Sequence, residues 1–406
     1  MIPVPEAIRI VVAETPRLPA ETVALAEARG RVLAEDVVAD TDLPPFDRAL
    51  MDGYAVRAAD TEGARAGAPV RLSIVGEAAA GAGWRGELGA GEAVRIMTGA
   101  PVPVGADSVQ QVEVTRETED GALVEIERAT VPAQFITKRA TEITRGETVL
   151  RAGETIGAAS SAALAAFGYA RVRVGARPRV AVLATGTELV DVGQQPGPDQ
   201  IRDSNTYSLL AYAEAAGARV EHLPFAGDDA KLLQRVIAVS AERADVLVLS
   251  GGVSMGVYDF TKTALGALGA EIFFERVSLR PGKPTVFARL GRTLVFGLPG
   301  NPVSVSVTFN LFARTAIRAM QGARQAALNE EQAVLGRAVR GAQERASYLP
   351  ARLGTDAAGR LVAEPLRWGG SSDFVAFTRA DALLILEAGA GTVEAESIVR
   401  VVRLPA

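Results

Sequence analysis

Between residues 179 and 320, apolar runs of strand length alternate with amphipathic helical stretches, and few architectures accept that pattern. Run 179–184 reads as a buried strand, and 204–217 as a helix with Asp203 or Ser204 as N-cap and Gly217 just past its end. Strand 218–223, helix 229–243, strand 245–249, helix 258–268 and a strand near 271–277 follow. Short strands around 285–289 and 293–297 lead into a long helix, with Asn301 as cap and Pro302 at its first position. Such alternation predicts a doubly wound, mostly parallel α/β sheet covered on both faces. Ligands of these folds bind beyond the carboxyl ends of the strands. Three glycine-rich turns are expected there: Ser250-Gly251-Gly252-Val253-Ser254-Met255-Gly256, Arg280-Pro281-Gly282-Lys283-Pro284 and Leu298-Pro299-Gly300-Asn301-Pro302. Each follows an apolar run, and glycine lets backbone N–H groups approach a ligand closely. Three such turns on one sheet predict a large anionic ligand, a phosphorylated or oxyanionic small molecule.

The flanking regions have a different texture. Residues 41–137 carry short strand-like runs, such as 70–75 and 123–127, between glycine-rich turns. Residues 330–406 repeat that character at 334–339, 361–364, 382–386 and 397–402, which predicts a small C-terminal β-barrel. Helices are expected at 6–14, 21–28 and 159–167, the last ended by Gly168. Segments 1–40 and 138–176 each lack the apolar surface to stand alone, so they are expected to form one discontinuous N-terminal domain. The expected division is therefore 1–40 with 138–176, then 41–137, 177–325 and 330–406.

Composition narrows the chemistry. A net charge of −5 argues against bulk electrostatic binding to nucleic acid or to acidic membranes. No apolar run approaches the roughly 20 residues that span a bilayer, and the N-terminus lacks a signal-peptide pattern, so the cytoplasm is expected. With no cysteine and one histidine, thiol nucleophiles, Cys/His zinc sites and iron–sulfur ligation are excluded. His222 sits in a strand-like run and reads as ordinary strand packing. Lysine occurs only at Lys138, Lys231, Lys262 and Lys283, and two of these fall in the glycine-rich region. Chemistry must come from carboxylates, hydroxyls, backbone amides and Lys or Arg, with or without a hard metal ion.

Several candidates carry two readings. Asp52 precedes a glycine in a loop entering a strand, as an active carboxylate or as an Asx turn. Thr98 stands at a second sharp turn with the same alternatives. Glu188 follows the first strand of the α/β region, at the ligand-binding edge. Asp228 and Asp259 each begin a helix, where a carboxylate caps the amides. If both face one phosphate-bearing ligand they would repel it, and a bridging Mg²⁺ resolves that conflict. Ser254 and the Ser250–Gly252 amides suit a phosphate at a helix start.

In order along the whole chain, Met51-Asp52-Gly53-Tyr54-Ala55-Val56, Met97-Thr98-Gly99-Ala100, Thr185-Gly186-Thr187-Glu188-Leu189, Asp203-Ser204-Asn205 and the three glycine-rich turns resemble the molybdopterin molybdenumtransferase family. The C-terminal domain of gephyrin is similar. The resemblance implies a central domain like that of molybdopterin adenylyltransferases, elongated N-terminal α+β and β-rich domains and a C-terminal β-barrel. It also implies a homodimer with sites between subunits, possible docking of other molybdenum cofactor biosynthesis proteins, and a reaction of adenylylated molybdopterin with molybdate that releases AMP. By motif position, Asp228 and Asp259 match Mg²⁺ carboxylates, and Asp52, Thr98 and Glu188 match catalytic polar residues. Asp203, Ser204, Asn205, Ser250, Gly251, Gly252, Ser254, Pro299 and Asn301 match substrate-binding positions, and Arg280, Lys283, Pro284 and Ser371 match the molybdate set. This chain departs from the pattern in places. Arg280 replaces a common lysine, and Pro350 stands where some members carry arginine, with Arg345 or Arg352 as substitutes. Phe135, Thr137, Ala140 and Glu142 replace a usual asparagine, arginine, glycine and aspartate. A non-catalytic pterin carrier or scaffold, or a paralogue handling tungstate, are the alternative readings.

Overall fold

The computed structural model describes residues 1–118, 120–224, 230–252 and 260–405. Asp228, Ser254 and Asp259 lie outside these described residues. The chain forms two compact units, one of Met1–Glu35, Arg151–Ala162 and Ala170–Ala406, the other of Asp36–Leu150 and Ala163–Tyr169.

The first unit contains the expected α/β sheet. Its six strands run in the order Arg219–His222, Arg179–Ala184, Val246–Ser250, Thr293–Leu298, Val286–Leu290, Glu271–Phe274. The first four pair in parallel, and Val286–Leu290 runs against both its neighbours. The central strands are buried throughout, as continuous Val/Leu runs require when both faces are covered. One face packs against Val4–Glu14, Asn205–Ala215 and the helical stretch Pro302–Thr308, Phe309–Ala313 and Arg314–Met320, whose middle segment is a widened π-type turn. The other face carries Leu233 and Ile237 from Ala230–Ala241 and Ala264 and Leu265 from Phe260–Ala267. Asn205–Ala215 and Ala230–Ala241 therefore lie on opposite faces, and the winding reverses between Arg179–Ala184 and Val246–Ser250. That reversal opens a crevice at the strand ends.

The C-terminal part is a closed barrel. Ala346–Thr355 pairs with Leu361–Pro365 on one side and Ala382–Leu386 on the other, and Glu330–Leu335 and Ile398–Arg403 complete the ring. The ten-residue strand Ala346–Thr355 escapes the sequence reading, because Pro350 and Gly354 break its apolar alternation.

Two expectations are corrected here. The helix at 21–28 is a strand, Ala20–Ala24, followed by the short 3₁₀ turn Leu25–Glu27. Ala20–Ala24 pairs antiparallel along its length with Arg171–Gly175, and that distant ladder outweighs a weak local helix preference. The Arg280–Pro284 turn does not leave the α/β sheet. After Phe274 the chain departs from that sheet, and Leu279–Arg280 runs parallel beside Ala346 and Ser347 of the barrel, driven by complete burial of Leu279.

The second unit is β-rich. Its six-stranded sheet has the order Ser108–Gln111, Gly53–Val56, Glu92–Ile96, Val70–Ala78, Leu123–Ile126, Thr115–Glu117. Phe135 and Ala140 adopt φ of 51° and 61°, left-handed backbone that asparagine and glycine accept more readily. Glu142 forms an ion pair with Arg48, and Lys138 with Asp47. No helix among the described residues is long and apolar enough to cross a membrane.

Candidate functional site

At the winding reversal, the ends of neighbouring strands are tied by backbone hydrogen bonds. The Thr185 amide donates to the Ser250 carbonyl at 2.8 Å, and the Gly251 amide to the Leu298 carbonyl at 3.1 Å. Glycine is required at 251: its φ is 89°, and a Cβ there would lie 2.5 Å from the Thr185 carbonyl oxygen. The chain thus turns sharply off the sheet and leaves room above the strand ends.

That room is a cavity of about 1020 Å³. Glu188, Asp203, Ser204, Asn205, Ser250, Gly251, Gly252, Pro284, Pro299 and Asn301 all line it. Asn205 is the tie among three of its walls. Its Nδ2 donates to Ser250 Oγ at 2.9 Å and to the Gly300 carbonyl at 2.7 Å. Because a carbonyl only accepts, the amide nitrogen must face Gly300. Asn205 Oδ1 is then buried with no hydrogen-bond partner among the described residues. A buried acceptor without a donor is costly, and one at a cavity is suited to a ligand N–H or O–H.

The two carboxylates of this wall differ. Asp203 is buried, and its Oδ1 accepts from the Thr206 amide at 3.1 Å, so it caps the helix Asn205–Ala215. Glu188 is exposed, lies against Gly186 and forms no ion pair with a described residue. Its backbone carbonyl accepts from the Ile201 amide at 2.8 Å, which holds the short parallel pair Leu189–Val190 and Ile201–Arg202.

Asn301 holds the N-cap position before Pro302, yet its side chain makes no capping bond. Its Nδ2 instead donates to Ser371 Oγ at 2.8 Å, while the Val303 amide donates to the Ser371 carbonyl at 2.9 Å. Ser371 therefore braces the wall rather than lining it, and its neighbours Ser372 and Phe374 face the cavity.

Arg280 and Lys283 are not among the lining residues, although Pro284 of the same turn is. Arg280 is exposed at the barrel edge, and neither cation has an ion pair with a described residue. Of the two substitutes for Pro350, Arg345 donates to the Leu279 carbonyl at 3.3 Å, next to Arg280. Arg352 lies in the register position opposite Glu364 instead. Lys262, the other lysine of this region, pairs with Glu275. His222 is exposed at its strand end, with its ring edge-on to Tyr207 at 6.2 Å.

Asp52 and Thr98 meet in the second unit. Asp52 Oδ1 accepts from the Thr98 amide at 2.6 Å and from Thr98 Oγ1 at 2.8 Å. Those two bonds, the backbone one first, hold the Asp52 carboxyl below its usual range. Gly53 passes so close to the neighbouring strand that a Cβ would lie 1.9 Å from the Gln110 carbonyl oxygen. The carboxylate is thus kept ionised and fixed. Leu50, Met51 and Met97 are exposed apolar side chains around it.

Sequence reasoning missed Arg202, Gln200, Pro196 and Phe374 in the cavity wall. Arg202 had a usable signal, since it directly precedes Asp203-Ser204-Asn205. Phe374 had none, because it reaches the cavity from 170 residues further along only by folding, at the start of the short helix Phe374–Phe377.

Known proteins resemble this chain along its length. Residues 2–168 match the MoeA N-terminal region (domain I and II), 181–319 a probable molybdopterin binding domain, and 332–404 the MoeA C-terminal region (domain IV). A molybdopterin molybdenumtransferase of Bacillus subtilis is 38% identical over 78% of this chain and 74% of its own. One from Staphylococcus aureus is 34% identical over 96% of this chain and 92% of its own. A molybdopterin biosynthesis MoeA protein of Pyrococcus horikoshii, 32% identical, superposes over 99% of both chains with a TM-score of 0.81. Another molybdopterin biosynthesis MoeA protein structure from Pyrococcus horikoshii OT3, at 27% identity, gives 0.85 over the whole of both chains. Three consecutive domain matches, relatives above 30% identity and a shared whole-chain fold place this chain in the MoeA family of molybdopterin molybdenumtransferases.

Proposed function

We propose that this protein inserts molybdate into adenylylated molybdopterin and releases AMP, acting as a Mg²⁺-dependent homodimer in the cytoplasm. The observation that carries this reading is the 1020 Å³ cavity at the winding reversal, walled by glycine turns and holding an acceptor with no donor among the described residues. Its size suits a nucleotide-bearing substrate, and its amides and hydroxyls suit phosphate oxygens. Sulfur ligands for molybdenum come from the dithiolene of the substrate, so a chain without cysteine can still perform the insertion.

The residues take the following parts. Asn205 fixes the turn positions and accepts a donor from the bound molecule. Glu188 stands ready to take or give a proton at the cavity wall. Asp203 sets the helix start, and Asp52 with Thr98 contributes a fixed carboxylate to the reaction. Arg280, Lys283 and Ser371, with Arg345 in preference to Arg352, bind the molybdate dianion by charge and hydrogen bonds. Glu188 brings a hard carboxylate oxygen to the cavity wall, the donor type that suits Mg²⁺. Mg²⁺ is usually held by one or two carboxylates and substrate phosphates, and Asp228 and Asp259 would hold it here. When bound it neutralises phosphate charge as AMP departs. The four-part domain division belongs to the same proposal.

The test is a turnover assay with adenylylated molybdopterin, molybdate and Mg²⁺. Release of AMP well above the protein concentration supports the enzyme, whereas binding without AMP beyond one per chain identifies a carrier. Replacing molybdate by tungstate reads the preferred oxyanion. Asp259→Ala is expected to abolish AMP release with the circular dichroism spectrum unchanged, and undiminished Mg²⁺-dependent release would remove Asp259 from that role.

A further inference from the structure

The cavity poses an electrostatic problem that Arg280 and Lys283 do not solve, because neither lines it. Glu188 and Asp203 bring two carboxylates to its wall, and a phosphorylated ligand adds more negative charge. Among the described lining residues one side chain is cationic, Arg202. We propose that Arg202 is the phosphate-binding residue of this cavity, and that it selects phosphorylated nucleotides over neutral nucleosides. The inference rests on the function proposed above and assigns part of the substrate to one side chain.

The local structure prepares Arg202 for that part. It ends the strand Ile201–Arg202, which pairs in parallel with Leu189–Val190, so its backbone is held from the side that also carries Glu188. Its Nε donates to the Gln194 carbonyl at 2.9 Å, and its terminal Nη2 to Gln195 Oε1 at 3.4 Å. These bonds use two of the five N–H groups of a guanidinium and restrict its motion. The remaining donors stay available, and no described carboxylate forms an ion pair with Arg202. An arginine held by neutral acceptors keeps its whole charge for a ligand, which a salt-bridged one does not. The neighbouring start of the helix Asn205–Ala215 adds N-terminal dipole of the same sign. A planar fork matches phosphoryl oxygens better than a single ammonium would.

The test is calorimetric titration of the full chain with AMP and, separately, with adenosine, in Mg²⁺-containing buffer. Arg202→Gln keeps a donor for the Gln194 carbonyl but removes the charge. It is expected to weaken AMP binding about 10- to 100-fold, as loss of a charged hydrogen-bond donor does, while adenosine binding stays within about twofold. Arg202→Lys is expected to recover part of the loss, and the AMP affinity of wild type should fall with added salt more steeply than that of Arg202→Gln. If wild type binds AMP and Arg202→Gln binds it equally well, this proposal fails and the proposed function stands. If wild type binds no AMP, both fail. If Arg202→Gln weakens AMP and adenosine alike, the residue only shapes the loop and the proposal is overturned. Thermal unfolding of each variant within about 2 °C of wild type certifies that the comparison is made on folded protein.

Discussion

Asn205→Ala tests the reading of the cavity most directly, because stability and binding should respond differently. The substitution removes two hydrogen bonds, at 2.9 Å to Ser250 Oγ and 2.7 Å to the Gly300 carbonyl. Each contributes about 1 kcal/mol net to the folded state. It also removes Oδ1, a buried acceptor with no described partner, whose desolvation costs about 1–3 kcal/mol. The exposed Gly300 carbonyl can turn to water, so the lost and relieved contributions nearly cancel. We expect urea unfolding, followed by far-UV circular dichroism, to shift by less than about 1 kcal/mol. AMP affinity should meanwhile fall about three- to tenfold, the worth of one neutral hydrogen bond. Asn205→Asp should behave worse, since an oxygen would replace the nitrogen facing the Gly300 carbonyl, at a cost of about 1–3 kcal/mol. A loss above about 3 kcal/mol for Asn205→Ala would mean that Oδ1 is already satisfied. Equal stability of the Ala and Asp variants would refute the amide orientation. Either result undoes the argument that this acceptor awaits a ligand.

Ala140→Gly should stabilise the chain by up to about 1 kcal/mol, because relief of left-handed strain at φ 61° exceeds the added freedom of glycine in the unfolded chain; a destabilised variant in urea unfolding would contradict this. Gly53→Ala should cost about 3 kcal/mol, since its Cβ would lie 1.9 Å from the Gln110 carbonyl oxygen, and the loss should appear as faster hydrogen exchange in Gly53–Val56. Arg95, then Tyr54, holds the Glu117 carboxyl down to about 2 from its usual 4.5. The stability from that depression is fully present above about pH 4.5 and is lost as pH falls towards 2, so Glu117→Gln should flatten the acid limb of an unfolding profile only within that window. Phe287→Ala should cost about 3–5 kcal/mol, because its ring is fully buried and packs at 4.8 Å on Phe296 and 5.0 Å on Phe273.

What could be read without coordinates was what depends on near neighbours in the chain. The α/β sheet announced itself because a buried parallel strand must be a largely continuous apolar run, as residues 246–249 and 294–296 are. The turns after them were legible because only glycine accepts the backbone at Gly251. The helix start at Pro302 followed from proline's fixed geometry.

Folding decided whatever depended on distant partners. Ala20–Ala24 became a strand because Arg171–Gly175 offered it a ladder, and no local signal encodes a partner some 150 residues away. Arg280 went to the barrel because burial of Leu279 drew its strand beside Ala346, although its turn looked equivalent to the other two. The strand Ala346–Thr355 survives Pro350 because the barrel pairs it on two sides. Arg202 stands beside the Asp203-Ser204-Asn205 motif in sequence, but only the parallel pair with Leu189–Val190 set it on the cavity wall. Residue chemistry and chain stiffness act over a few positions and can be read in order, whereas pairing and burial join positions that only the folded chain brings together.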